Sequence, residues 1–113
     1  MAESFQLLNQ TRFTNATSST VFSGTSDEGT IVRHMRVTNN ISGNTVLFSM
    51  WHGTEIDASS ILPASVIDDG GWAEFEGTII VDNGSDLIAK CDPGTAPGTI
   101  DVTLSIYGLE MTS

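Results

Sequence analysis

His34, His52 and Cys91 are the side chains of this chain best suited to acid–base, nucleophilic or metal chemistry. A Ser-His-Asp or Cys-His arrangement needs one histidine beside a nucleophile and an acid. No Gly-x-Ser-x-Gly elbow occurs, and Cys91 lies in unrelated context. Zinc needs several ligands at a spacing that lets them converge, and the two histidines show no such pairing. On a strand, His34 falls on the face of Val32 and Arg36, and His52 follows Trp51 at a strand end, so both read as surface or strand-end residues. Cys91 has no second cysteine to pair with and reads as a small buried apolar side chain. No catalytic residue, metal ligand or cofactor is assigned, and the chain is expected not to be an enzyme.

The carboxylates offer two weaker constellations. "DNGSD" (82–86) places oxygen ligands at alternating positions, and Asp57, Asp68 and Asp69 fall in expected loops where calcium could gather them. The stretch lacks the remaining ligands and the bidentate glutamate of an EF-hand, so turn formation is the preferred reading. Glu74 and Glu76 flank Phe75 on one strand face. Glycosidase carboxylates come from separate elements across a cleft, so this pair reads as a solvated face. Arg33 and Arg36, three apart on a strand, are expected on opposite faces rather than in one patch. Trp51 and Trp72 sit beside polar residues at strand boundaries, where a large aromatic either closes the core or anchors an interface.

Strands must position these residues. "IDVTLSIYGLE" (100–110) sets Ile100, Val102, Leu104 and Ile106 on one face and Asp101, Thr103, Ser105 and Tyr107 on the other, the pattern of a half-buried antiparallel strand. "FQLLNQTRF" (5–13), "TVFSG" (20–24), "TIVRHMRV" (30–37), "TVLFSMWH" (45–52), "WAEFEG" (72–77), "TIIV" (78–81) and "DLIAK" (86–90) complete about eight strands, separated by Gly, Asn and Asp turn signals. Residues 30–37 and 45–52, joined by "TNNISGN", are the clearest hairpin candidate. "ASSILPASV" (58–66) has room for a helical turn, although Pro63 limits it. "CDPGTAPGT" (91–99), with two Pro-Gly pairs, reads as a loop. Short strands without a helical period predict a single all-β domain, an antiparallel β-sandwich or jelly roll.

Composition bounds the partners. Fourteen acids against Arg12, Arg33, Arg36 and Lys90 give a net charge of −10, which disfavours autonomous nucleic-acid binding and anionic membrane surfaces alike. The N-terminus lacks the basic and apolar regions of a signal peptide, no stretch reaches the ~20 apolar residues of a membrane helix, and cytoplasmic synthesis is expected. Four Asn-x-Ser/Thr matches, at Asn9, Asn15, Asn40 and Asn83, are attributed to the abundance of Ser and Thr.

The segments "TVFSGTSDEGTIVRHMRVTN" (20–39), "NTVLFSMWHG" (44–53), "SSILPASVIDDGGWAEFEGTIIVDNGSDLIAKCDPG" (59–94) and "GTIDVTLSIYGLE" (98–110), in that order, resemble a small β-sandwich virion protein of tailed bacteriophages, of the head decoration or cement kind. The resemblance covers residues 20–110. It implies a virion location, a major capsid protein or other virion protein as partner, and a homo-oligomer, with a trimer favoured. It brings no catalytic residues. Segment 60–77 would then cross from one sheet to the other, with Ile61, Leu62, Val66 and Ile67 pinned to the core. Residues 1–19 fit the pattern least and are expected to be a first strand or an arm, with 20–113 as the sandwich. Phe5, Leu7, Leu8, Trp51 and Trp72 are the candidate interface residues. A carbohydrate- or receptor-binding module of a tail fibre or baseplate is the alternative, since jelly rolls also serve as lectins.

Overall fold

Residues 102–110 form the best-patterned strand, with Val102, Leu104 and Ile106 buried and Thr103 and Tyr107 half-buried on the opposite face. A computed structural model of the chain describes residues 6–41, 43–53, 59–68, 70–94 and 100–111. Among them are eight strands and no α-helix: β1 (Gln6–Phe13), β2 (Ser19–Ser23), β3 (Thr30–Asn39), β4 (Val46–His52), β5 (Ser60–Ile67), β6 (Trp72–Val81), β7 (Asp86–Pro93) and β8 (Val102–Glu110). They make two four-stranded antiparallel sheets, ordered β1-β8-β3-β6 and β2-β7-β4-β5.

The pairing follows one rule. β1 pairs with β8, β2 with β7, β3 with β6 and β4 with β5, all antiparallel. The chain is in effect one long hairpin with its tip between β4 and β5, rolled so that strands on either side of the tip alternate between sheets. This is the double-sheet, eight-stranded arrangement of a jelly roll.

Alternation supplies the core because each sheet buries one face against the other. Phe48 of β4 stands at its centre, edge-on to Phe13 of β1 and stacked on Phe75 of β6, both at 6.4 Å between ring centroids. One aromatic thus bridges the two sheets. Leu87, Ala89 and Cys91 of β7, all fully buried, line the same interior.

Several expectations from the sequence are corrected here. β3 and β4 are not a hairpin: they lie in different sheets, and the chain crosses between the sheets after Asn39. Asn39 holds that crossover, its amide donating to the carbonyls of Asn44 and Asp68 while its Oδ1 accepts from the Ile41 amide. Segment 60–67 is neither linker nor helical turn but the edge strand β5, and the passage between sheets is confined to the turn after it, closed by Gly71 N–H to the Asp68 carbonyl. Ile67 is core, Ile61 and Leu62 pack against it, but Val66 is 63% exposed because it points away from the interior. Residues 72–77 and 78–81 are one strand, β6. Strand β7 runs through Cys91 to Pro93, so the loop starts later than the first Pro-Gly pair suggested. Residues 6–13 are a strand that contributes Phe13 to the core.

Candidate functional site

The outer face of the β1-β8-β3-β6 sheet gathers most of the chain's reactive and cationic side chains. Register lays three rows across its four strands: Leu7, Tyr107, His34 and Glu76; then Gln10, Ser105, Arg36 and Glu74; then Arg12, Thr103, Thr38 and Trp72. Three of the four cationic residues of a chain with net charge −10 therefore share this sheet, with Arg33 beside the first row.

A β-bulge in β3 creates the arrangement. Between Val32 and His34 the register shifts against both neighbours: Arg33 is the extra residue against β8, whereas against β6 it is β6 that carries one more, Gly77 and Thr78 facing the single Arg33. An added residue reverses the alternation beyond it. Val32, Met35 and Val37 are consequently all buried, while Arg33, His34 and Arg36 line one open depression of about 750 Å³ with Glu76, Gly77, Thr78 and Tyr107. The expectation that Arg33 and Arg36 occupy opposite faces is overturned, as is the grouping of His34 with Val32, because simple alternation fails at a bulge. Gly108 of β8 lies buried against the bulge, where the backbone of Ile31 and Val32 leaves no room for a side chain. On the inner side of the same break, Val32, Met35, Ile61, Leu62, Phe75 and Ile79 border a hollow of about 250 Å³ between the sheets.

Glu74 and Glu76 lie on the exposed face of β6, as expected, but they are not alone there. Two apart on β6, they project on the same side as His34 of the neighbouring strand. Glu74 Oε2 lies 2.9 Å from His34 Nε2 and Glu76 Oε1 lies 3.7 Å from His34 Nδ1. One ligand atom from each of the three residues falls within 4.8 Å of the others, the one such convergence of three His, Cys, Asp or Glu ligands among the described residues. The His34 ring also meets that of Tyr107 at 5.8 Å. The period-two spacing of the glutamates was visible in the sequence. What the sequence did not give was the strand pairing that sets His34 beside them.

The remaining charges are held differently. The Arg36 guanidinium lies over the Trp72 ring, 4.5 Å from its centroid. Arg12 donates from Nε and Nη2 to the two carboxylate oxygens of Asp101 at 2.8 and 2.7 Å, a bidentate pair. Asp101 also accepts from Asn40, and hydrogen bonds from Arg12 and Asn40 hold its carboxyl below the usual range. The same pair raises the Arg12 pKa. Burial, aided by the charge of Asp92, pushes the Cys91 thiol up to about 12.

The five candidate interface residues do not form one patch. Leu7, 49% exposed, and Trp72, 57% exposed, lie on the outer face just described, at its opposite edge strands. Leu8 follows the outward-facing Leu7 and so turns inward, where it packs against the core. Trp51 is half-buried in the other sheet, and Phe5 lies outside the described residues. His52 ends β4, also in the other sheet. The "DNGSD" segment is a turn closed by Ser85 N–H to the Asp82 carbonyl, with Asp86 accepting from the Ser23 hydroxyl. Asp57 and Asp69 lie outside the described residues. No protein-family model and no curated protein matches this chain.

Proposed function

We propose that the chain is a structural protein of a tailed-phage virion, a decoration protein that binds the assembled shell and stabilises it. The jelly-roll strand order carries this reading, since it is an architecture that capsid proteins use, and it agrees with the segment-by-segment resemblance. Its mechanism is burial of surface rather than chemistry. Four strands about 4.8 Å apart and some ten residues long present a face of roughly 20 by 33 Å. That is the scale of one side of a specific interface, about 800 Å² of accessible surface. The outer face of β1-β8-β3-β6 suits the task, with Trp72 and Leu7 as exposed apolar anchors and arginines between them. The partner is the major capsid protein or a neighbouring virion protein, and a homo-oligomer, a trimer above all, would multiply weak contacts over the lattice.

The test is to mix purified protein with undecorated, expanded shells and sediment them. A fixed number of copies per capsomer should pellet, unassembled shell subunits should not be bound, and the decorated shells should resist heat better through mass action. The open depression flanked by Tyr107 and two arginines favours a second reading, a receptor- or carbohydrate-binding module of a tail fibre. Protein that stays in the supernatant yet binds host-cell glycans would replace the first reading with this one.

A further inference from the structure

We propose that His34, Glu74 and Glu76 form a binding site for a divalent transition-metal cation of the zinc class. The donor set is one imidazole nitrogen and two carboxylate oxygens. Zinc accepts such ligands at about 2.0–2.2 Å, so the ligand atoms of one tetrahedral site stand roughly 3.4 Å apart. The 2.9 Å from His34 Nε2 to Glu74 Oε2, and the 4.8 Å span of the whole group, bracket that separation. Glu74 faces Nε2 of the ring and Glu76 faces Nδ1, so closing the site on one nitrogen requires the imidazole or the exposed Glu76 side chain to rotate.

Backbone rather than loop geometry aims the ligands. Glu74 and Glu76 share a face of β6, and the bulge at Arg33 turns His34 toward them from β3, with Tyr107 against the imidazole ring. The charge arrangement is the second argument. Glu74 stands directly opposite Arg36 in register, where a cross-strand ion pair would be the ordinary outcome. Arg36 is laid over Trp72 instead, and no ion pair joins Arg33 or Arg36 to either glutamate. Two carboxylates are thus drawn to within 4.8 Å of each other around one imidazole, an arrangement whose repulsion a shared cation relieves. The nitrogen ligand selects zinc, cobalt or nickel over magnesium and calcium, which require more oxygens than these residues supply. Arg33 and Arg36 border the same depression and oppose a cation, so micromolar rather than tighter affinity is expected.

The proposal is independent of the virion reading, and its test uses the isolated full chain. Chelator-treated protein is titrated with zinc chloride by calorimetry, with cobalt(II) absorption as a spectroscopic probe. One ion per chain should bind. His34→Ala and Glu76→Gln should each weaken binding by about tenfold or more, and His52→Ala should leave it unchanged. Glu76 has an 82% exposed side chain, so its variant tests the ligand without endangering the fold. In the unsubstituted protein, zinc should shift the imidazole resonances of His34 and leave those of His52 in place. Absence of binding at micromolar zinc, equal binding of magnesium, zinc-induced shifts at His52 rather than His34, or undiminished affinity in folded His34→Ala would each overturn the site.

Discussion

The carbonyl oxygen of Ile31 occupies the space that a Cβ on Gly108 would need, with the Val32 Cα close behind it. The β3 bulge can therefore press against β8 only because position 108 has no side chain. Gly108→Ala should destabilise the protein by on the order of 1–3 kcal/mol, since backbone on both sides must shift. Denaturant midpoints measure the loss, and the His34–Tyr107 ring contact, followed by nuclear Overhauser effects, should weaken in whatever folded protein remains. A neutral substitution would mean that the bulge can move without cost.

Leu104 is fully buried, whereas its neighbour Thr103 is half-buried and accepts a hydrogen bond from Asn40 at the surface. Leu104→Ala should cost about 2–5 kcal/mol and Thr103→Ala at most about 1 kcal/mol. Equal losses in chemical denaturation would contradict the facing of β8.

Cys91 is fully buried in β7, and its thiol is pushed up to about 12. Thiolate is the reactive form, so the native protein should resist iodoacetamide and disulfide reagents near neutral pH. Labelling should become complete in denaturant. Rapid labelling of folded protein would place Cys91 outside the core.

Asp101 has its carboxyl pKa lowered by Arg12 and Asn40. A depressed folded-state pKa adds stability that is present above the unfolded value, about 3.9, and is lost as pH falls through the folded value. Asp101→Asn should thus melt below the parent protein at neutral pH, and the gap should narrow as pH drops below about 4. A gap unchanged in acid would show that the carboxylate charge plays no part.

The legibility of this fold differed from strand to strand. β8 was readable because Val102, Leu104 and Ile106, alternating with Thr103, Ser105 and Tyr107, keep a period of two. In β3 the bulge at Arg33 has no signature in "TIVRHMRV", yet it moves His34 and Arg36 to the face opposite Val32. The supposed β3–β4 hairpin failed for a different reason. Its Asn- and Gly-rich connection marks a reversal equally well within a sheet or between sheets, and partner choice depends on strands far away in sequence. The His34–Glu74–Glu76 group was hidden for the same cause, since forty residues separate its members and only the β3–β6 register joins them.

The nested pairing of β1 with β8 around all the other strands has a kinetic consequence. The tip pair β4–β5 closes a short loop, while Gln6 must find Gly108 across nearly the whole chain. Loop-closure entropy rises with that separation, and folds dominated by distant pairings form in milliseconds to seconds rather than microseconds. During synthesis β1 and β3 emerge long before β8, which is hydrogen-bonded between them in the finished sheet. Until β8 arrives, both strands present open edges to neighbouring nascent chains, so the outer sheet that carries Trp72, His34 and the arginines is the last to be sealed and the most exposed to misassembly at high expression.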